Sequence, residues 1–262
     1  MKKMKRKKLF RLIANGWILL LVSVISGNFA FSQKPENELQ EPVAIQPGKA
    51  GKAPSDAIVL FGKGSLDKFE SIVEGSTVSD LDGSPVVWKV RGRKFTVVPG
   101  TPNIQTKEKF GDCQLHIEWK TPLKDVRNGK KSQECGNSGI YLMGKYEVQI
   151  LNSFRNPTNP DGQAGAIYRQ YPPLVNASLK PDVWQVYDII FTAPRFNNDG
   201  SKKTPGYFTV IHNGVLIQNH VEIKGPSHAG NEKTPISQVE LPLMLQNHQN
   251  EVSFRNIWIR KL

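Results

Sequence analysis

The chain of 262 residues lacks the features that mark several large classes of protein. Two cysteines, Cys113 and Cys135, are too few for a disulfide-dense scaffold. No stretch has the spacing and caps of a long amphipathic helix, which excludes bundles and layered α/β folds. Gly-x-Ser-x-Gly is absent and no Ser/His/Asp order stands out, so nothing indicates a serine hydrolase. His212 and His220 flank a hairpin without a third ligand at zinc spacing. Gly62-Lys63-Gly64-Ser65 lacks the upstream glycine of a phosphate loop. No cofactor and no resident metal is expected.

Lys2, Lys3, Lys5, Arg6, Lys7, Lys8 and Arg11 form a basic leader with no acidic residue through position 32. The apolar run from Trp17 to Ile25 is too short to span a bilayer comfortably. It is followed by the small residues Ala30 and Ser32, in the pattern that a signal peptidase reads. Residues 1–32 therefore read as a cleavable export signal, with Gln33 the expected mature N-terminus. No stable membrane insertion is expected after cleavage, and the expected location is periplasmic or extracellular. No cysteine near the cleavage site invites a lipid anchor. Seven of the 35 basic residues fall in the leader, leaving 28 against 23 acidic ones, a net charge of +5. No Lys/Arg cluster interleaved with aromatics remains, so nucleic acid is not an expected partner.

Residues 33–55, with Pro35, Pro42, Pro47 and Pro54 and no aromatic, read as a flexible tether. Residues 56–262 read as one domain, long enough for a single large core. Its apolar residues alternate in short runs separated by turn chemistry. Ala57–Phe61, Val86–Val90, Phe95–Val98, Cys113–Trp119, Ser138–Met143, Tyr146–Leu151, Trp184–Thr192, Tyr207–His212, Val215–Val221, Leu241–Gln246 and Val252–Arg260 are expected strands. Asn213-Gly214 is a two-residue hairpin signal. Many strands without a helical layer imply an all-β fold of two packed antiparallel sheets. If 138–143 pairs back on 113–119, Cys113 and Cys135 lie roughly 20 Å apart, too far to bridge. Two free or buried thiols are expected.

The segment 136–150, GNSGIYLMGKYEVQI, is the most informative. Alternation puts Tyr146, Val148 and Ile150 on one face and Glu147 and Gln149 on the other. A carboxylate and an amide thus project together from one sheet face. In CQLHIEW, His116 and Glu118 oppose Leu115, Ile117 and Trp119. If the two stretches share a sheet, His116, Glu118, Glu147 and Gln149 share an open concave face.

Five blocks in order carry a resemblance: GDCQLHIEWK, GNSGIYLMGKYEVQI, DGQAGAIYRQYPPLVNASLKPDVWQVYDIIFTAPRF, HNGVLIQNHVEIKGP and LQNHQNEVSFRNIWIR. Together they resemble the 3-keto-disaccharide hydrolase domain family, across roughly 56–262. The resemblance implies a concanavalin A-like jelly-roll sandwich, bacterial export and cleavage of sugars oxidised to a ketone at carbon three. Three positions depart from the family's usual pattern. Asn152 and Asn247 stand where Asp is common, and Arg169 where Gly is common. Loss of two carboxylates is expected to weaken any metal binding, and Arg169 to narrow the pocket or pair with an anionic ligand.

A 3-ketone acidifies the adjacent carbon, so such a site needs a base, an acid for the leaving oxygen and donors for an enolate. Glu147 is the expected base and His248 the expected acid or electrophile. Asn137 and Gln149 are expected to hold sugar hydroxyls. Glu118, His116, Tyr168, Arg169 and Gln246 are further candidates for substrate contact, and Trp184 for stacking or the core. The expected partner is an oligosaccharide or glycoside substrate. A non-catalytic carbohydrate-binding module on the same sandwich is the alternative, followed by a structural envelope protein.

Overall fold

Alternating apolar residues on short strands leave each sheet with one face to bury, and two sheets solve that by packing against each other. The computed structural model describes residues 41–49, 51–72, 85–227 and 239–262. The expected signal and the first part of the tether lie outside the described residues. From Ala44 onward the chain forms one compact unit. Its strands are β1 (Ile58–Phe61), β2 (Phe69–Ser71), β3 (Lys89–Arg91), β4 (Lys94–Thr96) and β5 (Ile104–Phe110). Next come β6 (Cys113–Lys120), β7 (Ser138–Leu142), β8 (Tyr146–Ile150), β9 (Gln185–Thr192) and β10 (Arg195–Phe196). The last are β11 (Lys202–Thr204), β12 (Tyr207–His212), β13 (Val215–Glu222), β14 (Leu241–Leu245) and β15 (Ser253–Lys261). A single short α-helix, α1 (Leu123–Arg127), follows β6 among the described residues.

The larger sheet runs β13-β12-β9-β6-β15-β4-β3, with β1 also paired to β15. The smaller runs β2-β5-β14-β7-β8, and β10 and β11 form a separate hairpin. Every strand pairing among the described residues is antiparallel, as expected for a two-sheet jelly roll. Leu115, Ile117, Ile189, Phe191, Phe254 and Ile259 from the larger sheet meet Ile104, Ile140, Val148, Ile150 and Leu245 from the smaller. Phe61 packs edge-on to Phe95 at 4.8 Å between ring centroids. Asn213 and Gly214 have φ of 51° and 81°, so the β12–β13 hairpin uses the left-handed turn its sequence signals.

Strand β5 escaped the sequence reading because Lys107, Glu108 and Lys109 are all exposed and break the alternation. One expected pairing is wrong. β6 pairs with β9 and β15, whereas β7 pairs with β8 and β14, so the two stretches lie in different sheets. Alternation shows which side of a strand faces the core, but both layers face the same core, and the pattern does not say which layer. Cys113 and Cys135 are nevertheless free and buried, and burial pushes the Cys113 thiol up to about 12.

His116 and Glu118 consequently sit on the outer face of the larger sheet, away from Glu147. His116 Nδ1 is 2.6 Å from Asp188 Oδ1, and its ring stacks on Trp258 at 5.0 Å. Glu118 pairs with Arg255 at 2.5 Å and accepts from Asn256 Nδ2 at 2.8 Å. Asn256 reaches them from a bulge with φ of 47°. The carbonyl of Gly51, in the stretch read as tether, accepts from Asn256 Nδ2 and Trp258 Nε1. Asn256 and Trp258 hold that segment on the sheet, and His116 and Glu118 position those two side chains, which corrects the expectation that His116 and Glu118 share an open face with Glu147.

His212 is fully buried beside Tyr187 and Trp119. Gln185 Oε1 accepts from Leu179 N and Asn213 Nδ2, so His212 Nε2 must be the donor in its 3.0 Å bond to that oxygen. Nδ1 then has no partner, and a proton there would be buried unpaired. Burial lowers the His212 pKa to about 4. The unfolded state, with an ordinary histidine pKa near 6.5, binds the extra proton first. Stability contributed by neutral His212 is therefore present above about pH 6.5 and declines as pH falls toward 4, by on the order of 3 kcal/mol in all. Urea unfolding between pH 7.5 and 4.5 should show a steeper loss for the wild type than for His212→Gln; parallel profiles refute the assignment.

Candidate functional site

The β7–β8 hairpin is buried on both faces, and no residue of either strand is exposed. Its core face carries Ile140, Leu142, Tyr146, Val148 and Ile150. Its other face carries Gly139 and Tyr141 from β7 directly opposite Gln149 and Glu147 from β8. Glu147 is 2 % exposed and Gln149 1 %. Both lie on the face away from the core, as alternation requires, but that face is covered rather than open.

The cover comes from three places. The outer edge of β8 pairs with 165–168: Gly165 N donates to Gln149 O, Gln149 N to Ala166 O, and Tyr168 N to Glu147 O. This is why DGQAGAIY follows the hairpin, and it brings Tyr168 beside Glu147. The loop after β14 contributes Gln246, whose backbone N donates to Gly139 O and whose Nε2 donates to Tyr141 Oη at 3.2 Å. The short 3₁₀ turn Ser132–Glu134 contributes Gln133.

Tyr141 completes the arrangement around the carboxylate. Its hydroxyl hydrogen-bonds Glu147, and its pKa is raised well above the usual value, first by burial and then by the Glu147 charge and that bond. Tyr141 thus keeps its proton and donates it to the carboxylate while accepting from Gln246. Gly139 is required beside it, because a Cβ there would run into Glu147 Oε1 and the Tyr141 ring. Lys145, at the end of the turn between the strands, is also buried, and burial lowers its pKa.

An amide chain runs from Gln149 toward the end of the sandwich. Gln149 Nε2 donates to Gln133 Oε1 at 3.1 Å, and Asn137 Nδ2 donates to Gln133 O at 2.7 Å. Gln133 Nε2 is held by Thr158 Oγ1 and Gly162 O, both at 2.9 Å. Gln149 Oε1 is buried with no hydrogen-bond partner among the described residues. An acceptor in that state suits a ligand hydroxyl.

The structure therefore brings together Glu147, Gln149, Asn137, Tyr168 and Gln246. It does not bring in His116 or Glu118. His248 is exposed on the loop after Gln246 and makes no hydrogen bond among the described residues. Arg169 is exposed, with its guanidinium 5.3 Å from the Tyr168 ring centroid. Its φ of 59° is a backbone conformation that favours glycine, in keeping with the glycine that the resemblance leads one to expect there. Trp184 is half-buried with Arg255 at 4.2 Å over its ring, beside Glu118 and not beside Glu147. Sequence reasoning missed Tyr141, Gln133 and Gly139. Tyr141 and Gly139 were legible as the outward positions of β7, but Gln133 reaches the site only through the tertiary fold.

Asn152 and Asn247 make their contacts elsewhere. Asn152 Nδ2 lies 3.3 Å from Cys135 Sγ. Asn247 Nδ2 donates to Val98 O and Thr101 O at 2.8 and 2.6 Å. These amide donors tie loops, and neither residue hydrogen-bonds Glu147. No group of three or more His, Cys, Asp or Glu side chains suited to a metal ion occurs among the described residues, and no helix there is long and apolar enough to cross a membrane.

Residues 56–260 match the family model described as the 3-keto-alpha-glucoside-1,2-lyase-like domain. The chain belongs to this family. A candidate glycosyl hydrolase from Parabacteroides distasonis ATCC 8503, solved at 2.13 Å, is 44 % identical, with a TM-score of 0.73 over 86 % of this chain and 94 % of that one. A second candidate glycosyl hydrolase from the same organism is 18 % identical, with a TM-score of 0.54 over 79 % of this chain and 94 % of that one. A third is 20 % identical, with a TM-score of 0.52 over 79 % and 99 %. The last two establish likeness of fold alone. Among curated proteins, none matches the chain.

Replacing Asn247 by Asp removes the donors to Val98 O and Thr101 O and sets a carboxylate against two carbonyls. Asn247→Asp should destabilise the protein by about 1–3 kcal/mol, read from urea midpoints. An unchanged midpoint would show that the amide does not hold the loop.

Proposed function

We propose that this protein is an exported carbohydrate-active enzyme that cleaves 3-keto-glycosides, with Glu147 as the base. The observation that carries the reading is the Glu147 carboxylate: buried, fixed by the Tyr141 hydroxyl, and beside a Gln149 oxygen left free for a ligand. Family membership and the 44 %-identical candidate hydrolase support a glycoside substrate.

In this reading Glu147 removes the proton on carbon two, next to the ketone. The electron pair moves onto the carbon-three oxygen as an enolate. The enolate re-forms the ketone as the bond from carbon one to the glycosidic oxygen breaks, and the departing oxygen takes a proton. Addition of water to carbon one, with a proton returned to carbon two, completes net hydrolysis; stopping before it gives a lyase. His248, on the adjacent loop, is the proposed proton donor to the leaving oxygen. Asn137, Gln149 and Gln246 offer amides to sugar hydroxyls, and Tyr168 a ring edge. Tyr141 holds the carboxylate between its hydroxyl and the rest of the site. No step needs a cofactor.

Glu147→Gln keeps the shape and removes the base, so turnover of a 3-keto-glucoside should fall by about 10²–10⁴ with folding intact. A fully active Glu147→Gln protein ends the assignment. Saturable sugar binding by a wild type that never turns over would instead identify the binding-module alternative. Activity is expected to survive prolonged chelation; loss with chelator and recovery with a divalent cation would overturn the metal-free reading. Export is tested separately: N-terminal sequencing of the exported protein should begin near Gln33, and a retained Met1 in the membrane fraction would refute it.

A further inference from the structure

The edge of the larger sheet carries a basic cleft of about 560 Å³ that the Glu147 site does not use. Its floor follows from strand register. Lys89 of β3 lies opposite Thr96 of β4, Thr96 opposite Ser253 of β15, and Ser253 opposite Lys120 of β6. Directly opposed residues point to the same face, so two lysines flank two small hydroxyls in one row. Arg91 and Lys94, opposite each other one step along, add a second row on that face. Phe95, between Lys94 and Thr96, points the other way and is fully buried in the core. The helix α1 closes the far wall with Lys124 and Arg127.

Six cations and two carboxylates line this cleft. Both carboxylates are committed: Asp182 to Lys120 at 2.5 Å and Glu251 to Lys124 at 2.6 Å. Lys89, Arg91, Lys94 and Arg127 make no ion pair among the described residues, so the cleft keeps uncompensated cations on both walls, three on β3 and β4 and one on α1. Thr96 Oγ1 and Ser253 Oγ are 2.8 Å apart, and sharing one proton leaves the other hydroxyl free to donate outward. Cations around a concave floor focus the field on an anion there more than the same charges on a flat surface.

We propose that this cleft binds an anionic glycan, a saccharide bearing sulfate or carboxylate groups, at a site separate from Glu147. Its volume lies within the range of ordinary ligand pockets. The lining holds no aromatic ring, so it offers no platform for the base stacking that single-stranded nucleic acid uses. Hydroxyls on the floor and fixed cations on the walls suit a sulfated or uronate sugar, with Arg91 and Arg127 able to engage an oxyanion through two parallel donors. That the ligand is a saccharide rests on the carbohydrate reading above; that it is anionic rests on the cleft alone.

The test is calorimetric titration of the purified protein with a heparin-derived hexasaccharide, with maltohexaose and a single-stranded DNA dodecamer as comparators. The wild type should bind the heparin fragment, not maltohexaose, and bind more weakly as salt rises. Lys89→Ala/Arg91→Ala/Lys94→Ala should weaken binding at least about tenfold, whereas Lys107→Ala/Lys109→Ala/Lys203→Ala, an equal charge change at exposed positions outside the cleft, should stay within about twofold. Arg127→Glu, a single exposed change, gives the same direction should the triple variant prove unstable by circular dichroism. No binding by wild type, equal weakening in both triple variants, or tighter binding of DNA than of the glycan overturns the proposal. The readout is independent of turnover: Glu147→Gln should bind the heparin fragment like wild type. An inactive protein with an intact cleft response would therefore refute the proposed reaction and not this inference.

Discussion

A carboxylate in a strand with no exposed residue must be hydrogen-bonded or lose its charge, and Glu147 is in that position. Tyr141, its directly opposed neighbour in the hairpin, supplies the bond. Much of the site follows from this pairing. Tyr141 needs a donor to its own oxygen, and Gln246 provides it. Gln246 is fixed because its backbone bonds Gly139, and Gly139 has no side chain because the carboxylate occupies that space. The 165–168 segment occupies the edge of β8 and bonds the backbone of Glu147 and Gln149, fixing the strand that carries them.

The same sandwich keeps its two outer faces chemically distinct. The smaller sheet covers the outer face of its β7–β8 hairpin and buries Glu147 there among amides and a phenol, with a second carboxylate, Glu70 of β2, buried beside Gln105. The larger sheet leaves its outer face partly to solvent and organises it in cross-strand rows. One row, Asp188–His116–Trp258, docks the Gly51 segment. Another, Lys89–Thr96–Ser253–Lys120, floors the basic cleft. Both depend on β15, which pairs with β1, β4 and β6 and has a bulge at Asn256. The bulge turns Asn256 onto His116, Glu118 and the Gly51 carbonyl.

The departures from the family look different once their contacts are known. Asn247 ties a loop through its amide hydrogens, which an aspartate does not possess. Asn152 lies against Cys135. Arg169 occupies a backbone conformation that favours glycine and directs its guanidinium over Tyr168. The two asparagines stand where a carboxylate would offer a metal ligand, yet their hydrogen bonds give at least Asn247 a structural task of its own.

The amino-acid sequence by itself determined the all-β class, most strand positions, the Asn213-Gly214 turn and the outward direction of Glu147 and Gln149. Each of these depends on local period-two alternation or on a residue's own backbone preference, and both act over a few residues. β5 was invisible because three consecutive exposed residues erase that period. Only the tertiary structure decided which layer each strand joined, since both layers present the same pattern to one core. That choice removed His116 and Glu118 from the site, brought Gln133 into it, and buried a face that alternation alone leaves open. It also aligned Lys89, Thr96, Ser253 and Lys120, four residues spread over 165 positions of sequence, because strand register is fixed by pairing across the sheet and not by distance along the chain.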